Sequence, residues 1–283
     1  MIHVIEHSII DSIKLLPFLF ITYLLMEFIE HKISKKSKET IKKSGKWGPF
    51  LGSAIGIFPQ CGFSVAASNF YAGRVITLGT LISVYLSTSD EMLPIFISEA
   101  VPIMTILKIL AVKFTIGMIS GFVIDFVLRM LHKEEKTERI EELCKSEHCD
   151  CGHGIFKSAL KHSVNIFIFI LFISIIINIG IHYIGEERIA SFVQSNPVFG
   201  PAIAGIIGLI PNCAASVILT KLYLEHLITA ATMISGLLVS AGVGLAVLFR
   251  MNKDVKENIK IVALLYTISV ISGVIIQMIG IKF

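Results

Sequence analysis

The amino-acid sequence contains an internal repeat, because segment 48–83 returns 152 residues later as segment 200–235. Aligned without a gap, the two segments share 14 of 36 residues. Each copy opens with Gly-Pro and carries a Pro-Gln-Cys or Pro-Asn-Cys tripeptide further on. The shared residues are mostly Pro, Gly, Cys and small hydroxyl residues inside apolar sequence, which is where membrane transporters interrupt their helices to build a site between two internal repeats. The repeat therefore predicts two copies of one membrane unit.

The composition supports a membrane location. Of the 283 residues, 54% are hydrophobic and only 16% are charged, which is too apolar for a soluble domain and typical of a chain that crosses a bilayer several times. The net charge of +4 is concentrated in a few loops, so it bears on topology and does not indicate nucleic-acid binding. We therefore expect the lipid bilayer as the surroundings and no nucleic-acid partner.

Several apolar runs are long enough for a helix that spans the hydrocarbon core, which takes roughly 20 residues. They lie at 12–30, 107–131, 158–184, 227–249 and 259–281, with a further run at 75–97. Segments 48–72 and 197–224 are also apolar but contain the Pro tripeptides. Proline removes a helical donor and clashes with the preceding turn, so each of these two should form two half-helices that meet at a break. With each broken hairpin counted twice, the sequence predicts about ten membrane segments.

Loop charge predicts that the two copies have opposite orientations. Segment 31–46 has seven Lys and one Glu, and segment 250–260 has four basic residues, so both should face the cytoplasm. Segment 185–196, the counterpart of 31–46, has one Arg and two Glu and should lie outside. The expected fold class is thus an all-α polytopic membrane protein, a 5+5 inverted-repeat transporter with two broken, re-entrant helical hairpins.

This scheme divides the chain into three parts. They are a first membrane repeat over 1–131, a cytoplasmic linker over 132–157 and a second, inverted membrane repeat over 158–283. Both termini are then expected outside.

The residues around the two breaks are the first candidates for a substrate site. They are Pro59, Gln60, Cys61, Ser64, Pro211, Asn212, Cys213 and Ser216. A single buried Cys in a membrane helix is ordinarily a small packed side chain. Two similar breaks that enter from opposite faces would instead bring these side chains together near the midplane, with freed carbonyls and half-helix ends. Thiolate selects a soft or borderline ion, whereas amide, hydroxyl and carbonyl oxygens suit harder ions.

Two acidic residues, Asp90 and Glu91, are the second candidates. One interpretation puts them in an external loop between two helices. The 152-residue offset, however, aligns them with Gly242 and Val243, inside a span over 227–249 that the apolar pattern predicts to be uninterrupted. A carboxylate within the bilayer costs about 2.5–3.5 kcal/mol on insertion scales and generally marks an ion or proton path. The position therefore favours a cationic substrate, a coupled proton or both.

The linker contains a cluster of soft or borderline metal ligands. Its members are Cys144, His148, Cys149, Cys151 and His153. Together they can make a four-ligand site, although the spacing is not that of a standard zinc finger, and the alternative is a loop with incidental Cys and His. In a reducing cytoplasm the thiols should be free, so this cluster is a candidate for capturing or sensing intracellular metal.

Ionisable residues near the ends of the spans give weaker signals. Those on the first helix are Glu27, His31, His3, His7 and Asp11. Their i, i+4 spacings would offer a metal-binding face, but amphipathic helix ends produce the same pattern, and we favour that interpretation. In the span 107–131, Lys113 is expected to snorkel outward and Asp125 to approach the inner interface.

These features together resemble a family of ten-helix heavy-metal exporters, whose members are named as arsenic efflux proteins or manganese transporters. The shared features are the P-[QN]-C tripeptide in both halves, Ser89-Asp90-Glu91 before a Pro, the Cys/His linker and the end of the first helix at 26–31. The resemblance covers nearly the whole chain and implies a multi-pass permease of the bacterial cytoplasmic (inner) membrane that moves a metal or metalloid outward. It implies a site made of Pro59, Gln60, Cys61, Asp90, Glu91, Pro211, Asn212 and Cys213.

The expected function is a secondary transporter that exports a divalent or soft heavy-metal cation, manganese or a related metal. The sequence has no Walker A motif, so we expect an ion gradient to drive transport, with the proton as a candidate coupling ion. No cofactor is required, because the metal is the substrate, although the linker is a candidate site for a further metal.

Two alternatives stay open. One is a permease for arsenite or organoarsenical species, in which the half-helix N-termini and both thiols bind the metalloid and the acids carry protons. The other is a metal-sensing membrane protein. An enzyme is disfavoured because no recognised motif assembles a nucleophile and a base, and a homodimer stays open as an alternative to a monomer.

Overall fold

The computed structural model of the protein describes residues 47–89, 91–131, 155–184 and 199–280, together with seven residues between 13 and 24 in the first apolar run. All the regular structure within these residues is helical. The helices are α1 (Gly48–Gly56), α2 (Cys61–Ala72), α3 (Leu78–Ser87), α4 (Met92–Ser98), α5 (Ile103–Met130), α6 (Ile155–Ile184), α7 (Gly200–Gly208), α8 (Ala214–Leu224), α9 (Ala230–Val239), α10 (Gly244–Met251) and α11 (Val255–Ile279).

The second half of the fold repeats the first. Helices α1 to α5 return as α7 to α11 in the same order and with similar lengths. Their local details return as well. The Thr77 hydroxyl accepts a hydrogen bond from Thr80 N at the start of α3, and the Thr229 hydroxyl accepts one from Thr232 N at the start of α9. Threonine is a favoured residue at this N-cap position. The repeat in the sequence is therefore also a repeat of local structure.

Both Pro tripeptides interrupt a helix, as the sequence predicts. Residues 57–60 separate α1 from α2, and residues 209–213 separate α7 from α8. In each turn the amide that follows the proline bonds to the carbonyl two residues earlier, at 2.8 Å for Gln60 and 2.7 Å for Asn212. The two breaks thus have the same backbone geometry.

A second pair of breaks lies in segments that the sequence predicts to be single spans. The apolar segment Ala230–Met251 is long enough to cross a membrane, but α9 ends at Val239 and α10 begins only at Gly244. Gly242 has a φ of +54°, a left-handed conformation that interrupts a helix and that glycine adopts without strain. The uninterrupted span predicted over 227–249 is therefore wrong. Apolar composition could not reveal the break, because no proline marks it.

Helices α3 and α9 lie at the centre of the protein. Helix α3 packs against α1 and α5, and α9 packs against α7 and α11 in the same arrangement. The two central helices also contact each other, and every residue of α9 is buried. Further helices of one half pack on the other half, because α2 contacts α10 and α8 contacts α4. The core is therefore built jointly by both halves.

Small residues allow these helices to approach closely. A Cβ added at Gly48 would lie 2.1 Å from Thr80 Oγ1, and one added at Gly200 would lie 2.5 Å from Thr232 Oγ1. Glycine and hydroxyl residues at helix contacts are typical of membrane proteins, where close packing replaces the hydrophobic driving force. The same packing requirement accounts for the Gly and Thr residues that the two copies share.

Four segments of the described residues are long and apolar enough to cross a bilayer. They are Ile103–Met130, Ser163–Gly180, Ala230–Met251 and Val255–Ile279. Helices α5 and α11 expose apolar side chains such as Phe126 and Ile271, which suits a surface that faces lipid. In the first apolar run, over 12–30, Tyr23 is buried and its hydroxyl donates to Asn69 Oδ1 on α2 at 3.1 Å. The same hydroxyl lies 3.8 Å from Met251 Sδ on α10, so Tyr23 packs against both halves.

Candidate functional site

The two Pro-x-Cys turns meet inside the protein. Cys61 is the first residue of α2, Cys213 directly precedes α8, and their Sγ atoms lie 3.1 Å apart. Neither cysteine is in a disulfide bond, and both side chains are half-buried. The structure thus brings together two of the residues that the sequence singles out, from positions 152 residues apart.

The neighbouring serines bond to their own helices. Ser64 Oγ donates to Cys61 O at 2.8 Å, and Ser216 Oγ donates to Cys213 O at 2.7 Å. Each hydroxyl therefore satisfies a backbone carbonyl in the first turn after the break, which keeps its donor occupied. Their contribution is to hold the two cysteine backbones in place.

Asn212 has a partner that the sequence interpretation missed. Its Nδ2 donates to Asn178 Oδ1 on α6 at 2.6 Å, and its own Oδ1 accepts from Ala214 N at 3.3 Å. Asn212 is only 6% exposed, so its amide is fixed within the protein. An Asn within the apolar run 158–184 was the available signal, because a polar side chain in a membrane helix usually bonds to another helix.

Of the acidic pair, the structure describes Glu91, which lies at the break between α3 and α4. Glu91 directly precedes α4 and is half-buried, whereas Asp90 lies outside the described residues. Residues 87–89 are 3% exposed or less, so the break is enclosed by protein. The corresponding break in the second half, residues 240–243, is buried too. Glu91 is therefore the last residue of an enclosed break between two half-helices.

Lys113 occupies a different place from the one predicted. Its side chain is fully buried, with 0% exposure, so it does not snorkel outward from α5. Its Nζ donates to Thr88 O at the end of α3 and, at 3.1 Å, to Leu237 O in the last turn of α9. The ammonium group therefore links the ends of the two central helices.

Asp125 lies at the other end of the same helix, where it caps α3. Its Oδ1 accepts from Gly79 N at 2.8 Å and its Oδ2 accepts from Thr77 Oγ1 at 2.7 Å. A carboxylate at a helix N-terminus satisfies free amides and complements the helix dipole. This contact accounts for a buried acid in an apolar helix.

An ion pair connects the two halves at the end of α2. Arg74 and Glu257 form two parallel hydrogen bonds of 2.7 and 2.6 Å, and their side chains are 10% and 20% exposed. Tyr71 donates to the same carboxylate at 2.5 Å. The hydrogen bonds that Arg74 donates to Glu257 raise the pKa of Arg74 above its ordinary value, although burial acts against this. The pair thus fixes the loop after α2 to the start of α11.

The remaining predicted ligands lie outside the described residues. They are Cys144, His148, Cys149, Cys151 and His153 in the linker, and Glu27, His31, His3, His7 and Asp11 near the first helix. Within the part of the chain that the structure describes, no three His, Cys, Asp or Glu residues cluster closely enough to hold a metal ion. There, the thiol pair is the principal soft donor group.

A helical core built jointly by two repeated units, with lipid-facing apolar helices, defines a multi-pass membrane protein. Residues 2–182, well over half of the chain, match the family described as "Putative, 10TM heavy-metal exporter". The chain belongs to this family of heavy-metal exporters with ten transmembrane segments, which confirms the resemblance noted in the sequence. No curated protein and no solved structure matches the chain.

Proposed function

We propose that the chain is a secondary transporter that exports a divalent or soft metal cation, manganese or a related metal, through a site at the two Pro-x-Cys turns and the acidic pair. The observation that carries the proposal is the 3.1 Å distance between Cys61 Sγ and Cys213 Sγ. Two thiols from different halves meet at the point where both half-helices begin. Membership in the exporter family supports metal transport as the activity.

The geometry of the thiol pair suits one soft or borderline ion. Two metal–sulfur bonds of about 2.3 Å at a tetrahedral angle place their sulfurs roughly 3.8 Å apart. The observed 3.1 Å would therefore widen only slightly on binding. Helix α2 begins at Cys61, and the positive end of the helix dipole stabilises a thiolate there. Glu91 does not cluster with the two thiols among the described residues, so the acidic pair would supply a separate set of oxygen donors on the path, which suits a harder ion such as Mn²⁺.

The ion pair between Arg74 and Glu257 supports the inverted arrangement of the two repeats. It puts the loop at 73–77 on the same side of the membrane as residues 252–257. Helices α9 and α10, if they cross the bilayer together, separate 252–257 from the loop at 225–229. Loops 73–77 and 225–229 correspond in the repeat and would then lie on opposite sides, as an inverted repeat requires.

We place segments 31–46 and 250–260 in the cytoplasm of a bacterial cell, with the termini outside, because both segments are strongly basic. Single cysteines introduced into 31–46 and 250–260 should react only with reagents that reach the cytoplasm. A cysteine introduced into 185–196 should react from the outside, and its labelling from the cytoplasm would remove the inversion.

Alternating access would follow from this arrangement, as in other inverted-repeat transporters. Each pair of half-helices, α1 with α2 and α7 with α8, would move about its Pro-x-Cys turn. The sequence has no Walker A motif, so we assign the driving force to an ion gradient, with the acidic pair as the path for a coupled proton. The linker cysteines would capture or sense metal on the cytoplasmic side and take no part in the membrane site.

The proposal is tested by flux of Mn²⁺, Zn²⁺ and Cd²⁺ into proteoliposomes that contain the purified chain and an entrapped metal-sensitive dye. Asp90→Asn and Glu91→Gln should abolish transport of all three ions. Cys61→Ser and Cys213→Ser should reduce Cd²⁺ transport far more than Mn²⁺ transport, because the thiols prefer the softer ion.

The matched control replaces Cys144, Cys149 and Cys151 by Ser and leaves both Pro-x-Cys turns intact. It should transport all three ions at saturating concentration. Wild-type fluxes in the four site variants, or loss of flux in the linker control, would contradict the proposed site.

A second candidate is export of arsenite or an organoarsenical species. The paired thiols favour it, because a trivalent metalloid is soft and binds more than one sulfur. In that case flux of arsenite would depend on Cys61 and Cys213 together, and Asp90 and Glu91 would affect only its pH dependence. The same proteoliposomes with arsenite distinguish the two substrates.

A further inference from the structure

Lys113 is a buried cation that the proposed transport site leaves without a role. It is fully buried in α5, and the helices packed around it, α1, α3 and α9, carry no acidic or basic residue. The acids closest in sequence to its contact at Thr88 are Asp90, which lies outside the described residues, and Glu91. We propose that Lys113 is a tethered cation that occupies the centre of the carrier while no metal is bound, which allows the empty carrier to change conformation. This role rests on the proposed transport function.

The two carbonyls that bind Lys113 are free because both central helices break. In a continuous helix Leu237 O would accept from Ala241 N, but that amide bonds to Val239 O at 2.8 Å instead. Thr88 is the last residue of the turn that ends α3, so its carbonyl also lies beyond the regular helix. Both helix ends are the negative ends of helix dipoles. Two such ends therefore converge on one position that attracts a positive charge.

The position is charged in only one half of the protein. The counterpart of Lys113 in α11 is Leu265, which is also fully buried. A single ammonium group already contacts both α3 and α9, so a second one opposite it would meet a like charge instead of a free carbonyl. Burying the charge of a lysine costs free energy. A side chain that only filled the space at this place would therefore be expected to be apolar, as Leu265 is.

The physical reason for a tethered cation lies in the return step of a carrier. A site with acidic groups and negative helix ends is balanced when it holds a metal cation. Without that cation, its negative charge would lie in a medium of low dielectric constant and oppose any rearrangement that buries it further. The ammonium of Lys113 supplies the missing charge. The carrier then returns without a bound metal ion, and net export becomes possible.

The test compares net flux with exchange in proteoliposomes that contain the full chain. Radioactive Mn²⁺, and in parallel radioactive Cd²⁺, is measured entering vesicles that contain either no metal or the same unlabelled metal. Net flux needs the empty carrier to return, whereas exchange does not. In Lys113→Met the ratio of exchange to net flux should rise about tenfold or more, equivalent to about 1.4 kcal/mol in the barrier of the return step. Lys113→Arg, which keeps the charge, should restore the wild-type ratio.

The ratio does not depend on how many molecules fold, so reduced yield of a variant leaves the test valid. Lys108→Met is the matched control, because Lys108 lies on the same helix and is exposed, and its ratio should not change. An unchanged ratio in Lys113→Met, or parallel loss of both fluxes in Lys113→Met and Lys113→Arg, would overturn the role of Lys113. Absence of any flux with the wild-type chain would remove the proposed transport function itself, and this role with it.

Discussion

The two halves of the protein share a backbone and differ in charge. Helices α1 to α5 and α7 to α11 break at corresponding positions, and α3 and α9 have the same threonine cap. Among the described residues, the buried charged side chains are Lys113 and Asp125, and both belong to the first half. Their counterparts in the second half are Leu265 and Gln277. A nearly symmetric backbone thus carries an asymmetric set of charges.

This difference separates two requirements of a carrier. Two conformations of similar energy are easiest to build from two equivalent halves, and the repeated turns and glycines supply that equivalence. A cargo site needs a defined charge, and one set of ionisable groups at a shared axis serves both halves. The difference in charge between the two halves is therefore expected at the residues that contact the cargo and at the residues that position them.

The largest effect is expected from exchanging Gly79 and its counterpart Ala231. A Cβ at Gly79 would lie 2.2 Å from the backbone carbonyl oxygen of Gly121 and 2.5 Å from the Asp125 carboxylate. In the second half, where Gln277 replaces Asp125, the same place holds an alanine. Gly79→Ala should lower the free energy of unfolding by about 3 kcal/mol. Ala231→Gly should lower it by only about 1 kcal/mol.

Thermal unfolding of the purified chain in detergent measures both changes. If the Asp125 carboxylate adds to the clash with Gly121 O, Gly79→Ala combined with Asp125→Ala should be less destabilising than the sum of the two single changes. Strictly additive effects would show that Asp125 does not contribute to the clash. Equal effects of Gly79→Ala and Ala231→Gly would remove this difference between the two halves.

The sequence predicts the parts of the fold that proline and periodic apolarity mark. The breaks at Pro59 and Pro211 are present because a proline within an apolar run leaves few alternatives. The break at Gly242 was missed, because a glycine inside an apolar run is compatible with a continuous helix. Local pattern alone cannot show which helix ends converge.

The same limit applies to the site. The repeat predicts that Cys61 and Cys213 are equivalent, and their positions at the two breaks indicate where to look. The roles of Lys113 and Asn178 depend on contacts with residues far away in the sequence. Lys113 would snorkel in an isolated helix, but it is buried here because α3 and α9 end against α5.

A smaller effect is expected from the ion pair that only one of the corresponding loops makes. Arg74 and His226 are counterparts with nearly the same left-handed backbone, at φ of 60° and 59°. Arg74 pairs with the half-buried Glu257, whereas His226 is exposed. Arg74→Gln should lower the free energy of unfolding by about 2–3 kcal/mol, because it leaves a half-paired carboxylate. His226→Gln should change it by less than about 0.5 kcal/mol.

The shared backbone conformation makes His226→Gln a close control, since any strain from glutamine at a positive φ affects both variants alike. Both are measured by thermal unfolding at low and high salt. Equal effects of the two substitutions would indicate that the ion pair between Arg74 and Glu257 contributes nothing to the free energy of unfolding. The contact that we use to orient the two halves would then not be a stabilising one.

The smallest effect is expected from the amide pair at the second turn. Asn212 bonds to Asn178 on α6, whereas the counterparts in the first half are Gln60 and Met26. Hydrogen bonds between membrane helices contribute about 0.6 kcal/mol on average, because the separated helices also find partners. A double-mutant cycle with Asn178→Leu and Asn212→Leu should give a coupling energy of about that size.

The cycle is followed by thermal unfolding and by the concentration of Mn²⁺ that gives half-maximal flux. If Asn178 positions Asn212 for the cargo, each single change should raise that concentration, and the double change should raise it no further. Additive effects on the free energy of unfolding and on this Mn²⁺ concentration would mean that Asn178 and Asn212 are not coupled. The difference between the two turns would then have no effect on stability or transport.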